Sequence, residues 1–561
     1  MTNRRRATEI VRTATRMLLT VRFFVVIAVL AAEGSARAGT LPRCSASAGG
    51  GTPTSATPTL LATLSDRWHE AWLGSPAAAD LDGDGTTEII AARGDLVLGW
   101  HLDDTVVFRV QSDTGRFWAA PVVADLDPQR TGLEVAAAAA DKLYVWDSAG
   151  TLLPGFPVTW LDELRAFAAD DIDDDGAIEL VVVSTQNLQV GGQRDIIMAW
   201  EMDGSSVAGF PPNTSGAAGC DDHCYVFGGF DQTLALGDVD GDGISDILAT
   251  QDNAYMSLHR GTGWMFDANP VFDIATKFAG IRFLFSWASA VQGWPDDGDE
   301  NQAHFTNSAP AIADLDDDGV NDLIVLGSVQ DADQTDRYRG VALWVVHNDG
   351  TRLTGWETPY HVSAYLSGLW DLGNNIVAAT NQVTVAEIDD SYAGPEMIFA
   401  GFDGTIHAVS SGKQSAWSYT YTTDASVLTG GVAVADLSGD GDPEVIFNSY
   451  SLDDDKSHLF VLGSDGVQQH KLSLPDRGAM PVPTIADVNG NGNLEIIVSL
   501  KDGIDHVRQV QVYTVSGSVE ECLLWPTGRA NFLRTGSPDG GSIFSDGFET
   551  GNLSRWSVTA P

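Results

Sequence analysis

Asp80-Leu81-Asp82-Gly83-Asp84-Gly85-Thr86-Thr87-Glu88 sets the reading of the whole chain. This nonapeptide carries oxygen-bearing side chains at positions 1, 3, 5 and 9 and glycine at position 6. It returns as Asp171-Ile172-Asp173-Asp174-Asp175-Gly176-Ala177-Ile178-Glu179 and as Asp238-Val239-Asp240-Gly241-Asp242-Gly243-Ile244-Ser245-Asp246. A fourth copy is Asp314-Leu315-Asp316-Asp317-Asp318-Gly319-Val320-Asn321-Asp322. Softer copies run Asp436-Leu437-Ser438-Gly439-Asp440-Gly441-Asp442-Pro443-Glu444 and Asp487-Val488-Asn489-Gly490-Asn491-Gly492-Asn493-Leu494-Glu495. Two further copies, Asp125 to Glu134 and Glu387 to Glu396, are one residue longer.

Oxygens at positions 1, 3, 5 and 9, with the main-chain carbonyl of position 7, form a donor set for a hard cation, and Ca²⁺ is the expected cofactor. The position-7 residues are Thr86, Ala177, Ile244, Val320, Asp442 and Asn493. Glycine at position 6 permits the sharp turn. An EF-hand is excluded, because position 12 is Ala91 in the first copy and Val325 in the fourth, where a bidentate Glu is required. The flanks are also wrong for it. Short apolar strands such as Ala311–Ala313 precede the loop and others such as Leu180–Val183 follow it. One such loop would read as an acidic turn; recurrence between the same strand types marks a site. In the stretched copies Gln129 and Ser391 replace the position-5 Asp, and Arg130 is placed to stand in for the cation.

A second signature follows each loop: a strand, an Asp/Gly turn and another strand, as in Lys142–Trp146 before Asp147-Ser148-Ala149-Gly150. One unit is therefore four antiparallel strands, and units repeated at these intervals describe a β-propeller. The expectation is an all-β fold of eight four-stranded blades, with seven plus a partial unit as the alternative. Over residues 70–530 the units resemble the FG-GAP/VCBS repeats of integrin-α-type propellers from secreted bacterial proteins. That resemblance implies calcium in the loop between the first and second strand of each blade. An eight-membered ring is in turn similar to family 11 rhamnogalacturonan lyases.

The chain has 561 residues, 31 Lys+Arg against 77 Asp+Glu, and a formal net charge of −46. Such a surface repels phosphate backbones, so nucleic acid is not an expected partner. Arg4, Arg5, Arg6, Arg12 and Arg16 precede an apolar run from Phe23 to Ala32 and the small-residue pattern Ala36-Arg37-Ala38. That is a secretory leader. The run is too short to span a bilayer. The expected organisation is a signal peptide over 1–38, a flexible linker over 39–58, the propeller over 59–535 and a tail over 536–561. The product is a secreted or periplasmic monomer with no membrane span once the leader is removed.

Export makes the cysteines disulfide candidates. Cys220 and Cys224 bracket a tight loop, where a metal site using His223 is the alternative. A ring must also hide its open sheet edges. Leu60–Trp72 and Trp525–Arg529 are the segments available to meet at the seam, and a Cys44–Cys522 bridge would lock them there.

Motif starts are separated by 45, 46, 67, 76, 73, 49 and 51 residues. The extra length falls after the fourth strand, at about 213–231, 271–308 and 357–381, on the face opposite the acidic loops. The excursion Gln330–Arg339 shares that face. The inserts carry Trp287, Trp294, His304, Tyr360, His361, Tyr365 and Trp370, a candidate surface for glycans or surface proteins. Packing of these rings within the inserts is the other reading. No H-E-x-x-H, G-x-S-x-G or P-loop occurs. A binding or cell-adhesion module is therefore favoured over an enzyme, with polysaccharide lyase as the alternative.

Overall fold

The computed structural model describes residues 41–66, 70–188, 195–212, 226–271, 276–292, 301–306, 308–330, 339–366, 370–372, 375–377, 381–502, 509–519 and 522–538. The leader, Cys220, Cys224, Trp294, the excursion 331–338 and the tail beyond 538 lie outside the described residues. Among the described residues no helix is long and apolar enough to cross a membrane.

Eight small antiparallel sheets form the ring. The first blade is typical: Ala77–Ala79, Glu88–Arg93, Leu96–Trp100 and Val106–Gln111 pair in sequence order. The innermost strands are short and small, as in Ala77–Ala79, Ala311–Ala313 and Ala433–Ala435, all fully buried. Eight strands converging on one axis leave room for little more than alanine. The second and third strands are apolar on both faces, for example Glu179–Ser184 and Val341–Val346, because each blade is sandwiched between neighbours. The clusters they form run from blade to blade around the ring.

Three details of the blades and the linker depart from the sequence expectation. The third blade has three strands among the described residues, Leu164–Asp170, Glu179–Ser184 and Ile197–Trp200. Where its fourth would lie there is only an isolated bridge from Trp200 to Ser206. The segments 271–308 and 357–381 are not free inserts. Ala279–Arg282 is the outer strand of the fourth blade and Tyr360–Val362 that of the fifth. Gln302–His304 extends the fifth blade by pairing with Ser328–Gln330. The linker also departs. Leu41 and Ser55 are buried, Ser47 N–H donates to Gly439 O at 2.8 Å, and Ser55 donates through its N–H and Oγ to Gln469 Oε1. Residues 41–58 are a strap laid over the seventh blade.

Ring closure comes from Thr59–Leu64, which pairs with Val510–Thr514 as the outer strand of the last blade. The Cys44–Cys522 disulfide is formed, with Cα atoms 5.4 Å apart. It joins the strap to the seventh blade, where Cys522 O accepts from Asp436 N–H, and not to the seam. The C-terminal segment does something else again. Leu523–Trp525 pairs with the innermost strand Ala433–Ala435. The chain then runs along the axis: Phe532 O accepts from Val123 N–H, Leu533 O from Ala169, Thr535 O from Leu236 and Gly536 O from Ile312. Those donors belong to the second, third, fourth and fifth blades. Residues 526–537 thus plug the channel, and Gly536 and Ser537, expected in the tail, belong to the plug.

Candidate metal centres

The acidic loops join first to second strands at one end of the blades. In all six unstretched copies the position-1 Asp accepts the position-6 glycine N–H at 2.7–3.0 Å. Those glycines have φ between +81° and +95°, a region other residues enter only with strain. Position 5 accepts the N–H of position 7 at 2.8–3.0 Å, an Asx turn that curls the loop around its own oxygens.

Position 9 does more than its motif suggests. In all eight blades one of its oxygens accepts the N–H of position 2, in pairs such as Glu88 with Leu81, Glu179 with Ile172 and Asp246 with Val239. The fifth, seventh and eighth blades repeat it through Asp322, Glu444 and Glu495, and the stretched copies through Glu134 and Glu396. Burial pushes these carboxyls upward: Glu179, Asp246 and Glu444 to about 8, Glu134 and Glu396 to about 7. Glu88, Asp322 and Glu495 rise for the same reason.

Four loops gather three carboxylate oxygens within 4.8 Å of one another. In the first, third and fourth blades positions 1, 3 and 9 converge: Asp80, Asp82, Glu88; Asp171, Asp173, Glu179; and Asp238, Asp240, Asp246. In the fifth blade the trio is Asp314, Asp316, Asp318, and Asp322 instead pairs with His347 Nδ1 at 3.2 Å. Asp84, Asp175 and Asp242 hold the Asx turns just described. In the seventh blade Ser438 Oγ donates to Asp436 and Asp440, and in the eighth Asn489 Nδ2 donates to Glu495. Neutral donors there satisfy oxygens within the loop. Asn491 and Asn493 add further internal bonds.

A hard divalent cation fits these loops. Their donors are all oxygen, which suits Ca²⁺ and not a thiolate-seeking metal. Asp173 Oδ1, Glu179 Oε1 and Asp240 Oδ1 are buried and accept no hydrogen bond. Asp173 and Asp316 are raised by burial and by neighbouring acids, the condition a bound cation relieves.

Arginine takes the cation's place in both stretched loops. Arg130 Nε donates to Asp127 Oδ2 at 2.8 Å. Arg43 reaches from the strap to Glu387 Oε2 at 2.8 Å and also pairs with Asp390. A third guanidinium, Arg260, contacts Asp240 at 2.5 Å and Asp242 at 3.4 Å in the fourth blade.

Sequence reasoning missed the residues that back the loops. His101 Nε2 lies 2.7 Å from Glu88 Oε1, His347 meets Asp322, and Glu201 is raised by burial and by Asp173 and Asp175. Each of these, like Arg260, directly follows the third strand of its blade. Third-to-fourth-strand turns open on the same face as the acidic loops, so a signal was present at that offset.

On the opposite face the candidate aromatics are half-buried and packed. Trp287 opens the short helix Trp287–Val291 beneath the Arg352 guanidinium, 5.4 Å from its ring centre. His304 lies beside Thr306 Oγ1 at 2.8 Å, and Asp252 acts on it electrostatically. Tyr360 packs on Phe399 and Tyr365 on Phe402, while His361 Nε2 lies 2.6 Å from Arg339 O. The backbone at Trp370 pairs with Val377; its side chain is outside the described residues. Among the described residues the most exposed large apolar side chain is Trp264, on the loop face.

No protein-family model matches the chain, and no curated protein sequence matches it. Among solved structures it is similar to the V. cholerae biofilm matrix protein Bap1, at 13% identity over 86% of this chain and 96% of that one, TM-score 0.49. It is also similar to the rhamnogalacturonan lyase YesW, at 14% identity over 86% and 80%, TM-score 0.45. A Bacillus licheniformis rhamnogalacturonan lyase matches at 14% identity over 86% and 82%, TM-score 0.44.

Proposed function

We propose that this chain is an exported, calcium-stabilised propeller of the FG-GAP/VCBS type that works as a binding or adhesion module for glycans or surface proteins. The observation that carries the reading is the division of labour between the two faces. On one face, loop carboxylates converge closely enough to share a cation, above position-9 carboxyls that are buried and tied to their own backbone, which is the chemistry of a structural metal. On the other emerge the segments of uneven length, the usual place for recognition on a rigid scaffold. The Cys44–Cys522 bridge fits an oxidising compartment. Ca²⁺ would be held by Asp80, Asp82 and Glu88, by Asp171, Asp173 and Glu179, by Asp238, Asp240 and Asp246, and by Asp314, Asp316 and Asp318.

The test is capture. Immobilised, calcium-loaded protein is presented with a panel of neutral and acidic polysaccharides and with solubilised surface proteins. Retention that survives Asp314→Ala but fails on Trp287→Ala or Tyr365→Ala, with the melting curve unchanged, supports the reading. Release of unsaturated uronic acid from a pectin-type polymer would replace it with the lyase alternative.

A further inference from the structure

Two arginines of the axial plug sit at the centre of the ring, Arg529 and Arg534, 3% and 1% exposed. Both are fully desolvated, and burial lowers each to about 9. Among the described residues no carboxylate pairs with either. An isolated buried charge costs several kcal/mol unless its field is answered locally. The two arginines differ in how that happens. Arg534 is saturated: Nε donates to Pro121 O, Nη1 to Thr527 Oγ1 and Gly528 O, and Nη2 to Ser75 O and Pro76 O, all at 3.0–3.2 Å. Arg529 is not. Its Nη2 donates to Leu234 O at 2.5 Å, and its buried Nη1 has no hydrogen-bond partner.

Arg529 lines a small cavity at the axis together with Arg165, Gln232, Arg534, Ala166 and Leu234. The cavity leaves about 10 Å³ for the centre of a water-sized sphere, enough for one small particle. Arg165 brings its own acids, Glu163 Oε2 at 2.6 Å and Asp231 Oδ1 at 3.7 Å. Two positive charges are left without a counter-charge, beside a space of one-particle size. Water would fill that space without neutralising them.

We propose that this cavity is a site for one halide-sized monovalent anion, chloride in practice, held by Arg529 and completing the plug. The anion supplies the missing acceptor to Nη1 and offsets the charge of Arg529 and Arg534, so the axis is locked by an ion as the loops are by cations. An organic acid the size of gluconate is far larger than the space beside Arg529.

Thermal melting of the full chain in calcium gluconate, with sodium chloride exchanged for sodium gluconate at constant ionic strength, reads the site directly. A saturable rise of several degrees with chloride, reproduced by bromide, is expected. Arg529→Gln should remove the halide-dependent part. Crystals soaked in bromide should give an anomalous peak beside Arg529 Nη1, a measurement that stands even if the variant does not fold. Superimposable chloride and gluconate curves, or bromide absent from the axis, would overturn the proposal and leave the cavity to water.

Discussion

Glu179→Gln separates the cost of a buried carboxylate from its use. Glu179 is fully buried, one oxygen tied to Ile172 N–H at 2.8 Å and the other without a hydrogen bond. Burial pushes its carboxyl from the ordinary 4.5 to about 8. The folded form therefore binds the proton more tightly than the unfolded chain. Its favourable contribution is complete below pH 4.5 and is lost as pH rises through 8. With about 1.4 kcal/mol per pH unit, the ionisable group costs the metal-free fold about 1 kcal/mol at pH 5 and about 4 kcal/mol at pH 8. The amide keeps the acceptor for Ile172 and cannot ionise, so in chelator the variant should unfold at higher urea than the parent at pH 8 and nearly alike at pH 5. In calcium the order reverses, because the variant lacks one anionic ligand of its trio. The assay is equilibrium urea unfolding under those four conditions. A variant weaker than the parent in chelator at pH 8 would refute the argument, since it would mean that the charge is already compensated without metal.

The other expectations concern the loops, the strap and the plug. Chelation should lower the melting temperature by tens of degrees, since a site at 100 times its Kd adds about 2.7 kcal/mol and four trios act together. In calcium, Asp314→Ala with Asp316→Ala should cost more than Asp125→Ala with Asp127→Ala, and equal melting temperatures would undo the ranking of the loops. Cys44→Ser with Cys522→Ser opens a crosslink spanning 478 residues. Chain entropy sets its worth at no more than about 6 kcal/mol, and a melting curve unchanged by the double variant would show that the strap's hydrogen bonds to the seventh blade hold it without the bridge. Gly536→Ala should destabilise by about 2–3 kcal/mol in denaturant titration, because φ is +70° and a Cβ would stand 1.9 Å from Arg529 Nη2.

Blade number was legible because each Asp-x-Asp-x-Asp-Gly copy marks one first-to-second-strand turn, and a period survives loss of detail in any one copy. Ser438 and Asn491 weaken the motif chemically yet keep its turn, so counting did not depend on binding. What escaped was non-local. The expected seam joins the segment from Leu60 to Trp525–Arg529, whereas the actual partner is Val510–Thr514, since a strand's alternation reports that it pairs and not with whom. The plug, residues 526–537, has no periodicity at all, being a segment whose hydrogen bonds are dictated by a channel that exists only once eight blades have assembled. Strand ends inside 271–308 and 357–381 were obscured because Ala279–Arg282 and Tyr360–Val362 are only four and three residues long. The histidines behind Glu88 and Asp322 were within reach of the topology but not of the motif.

The eight loops solve one electrostatic problem in three ways. Each places a carboxylate at position 9, buried in the ring, where it holds the backbone of position 2, beneath a turn that carries further acids, so each loop must answer the combined field of its acids. In the first, third and fifth blades three converging acids leave the answer to a cation from solution. The second and sixth blades have lost the position-5 Asp and lengthened by a residue, and there Arg130 and Arg43 supply a charge from the chain itself. The seventh and eighth dilute the charge with Ser438, Asn489 and Asn491. The fourth blade stands between the first two solutions, since Arg260 rests on Asp240, an oxygen donor of its own trio. A metal there must displace the guanidinium or share the carboxylate with it, and either lowers affinity relative to the first, third and fifth blades. Calcium titration followed by native mass spectrometry should therefore show three early ions and a fourth that binds later, and Arg260→Ala should bring the fourth forward to join the others. Four ions of equal affinity in the unaltered chain would mean that Arg260 swings away at no cost and is a surface residue only.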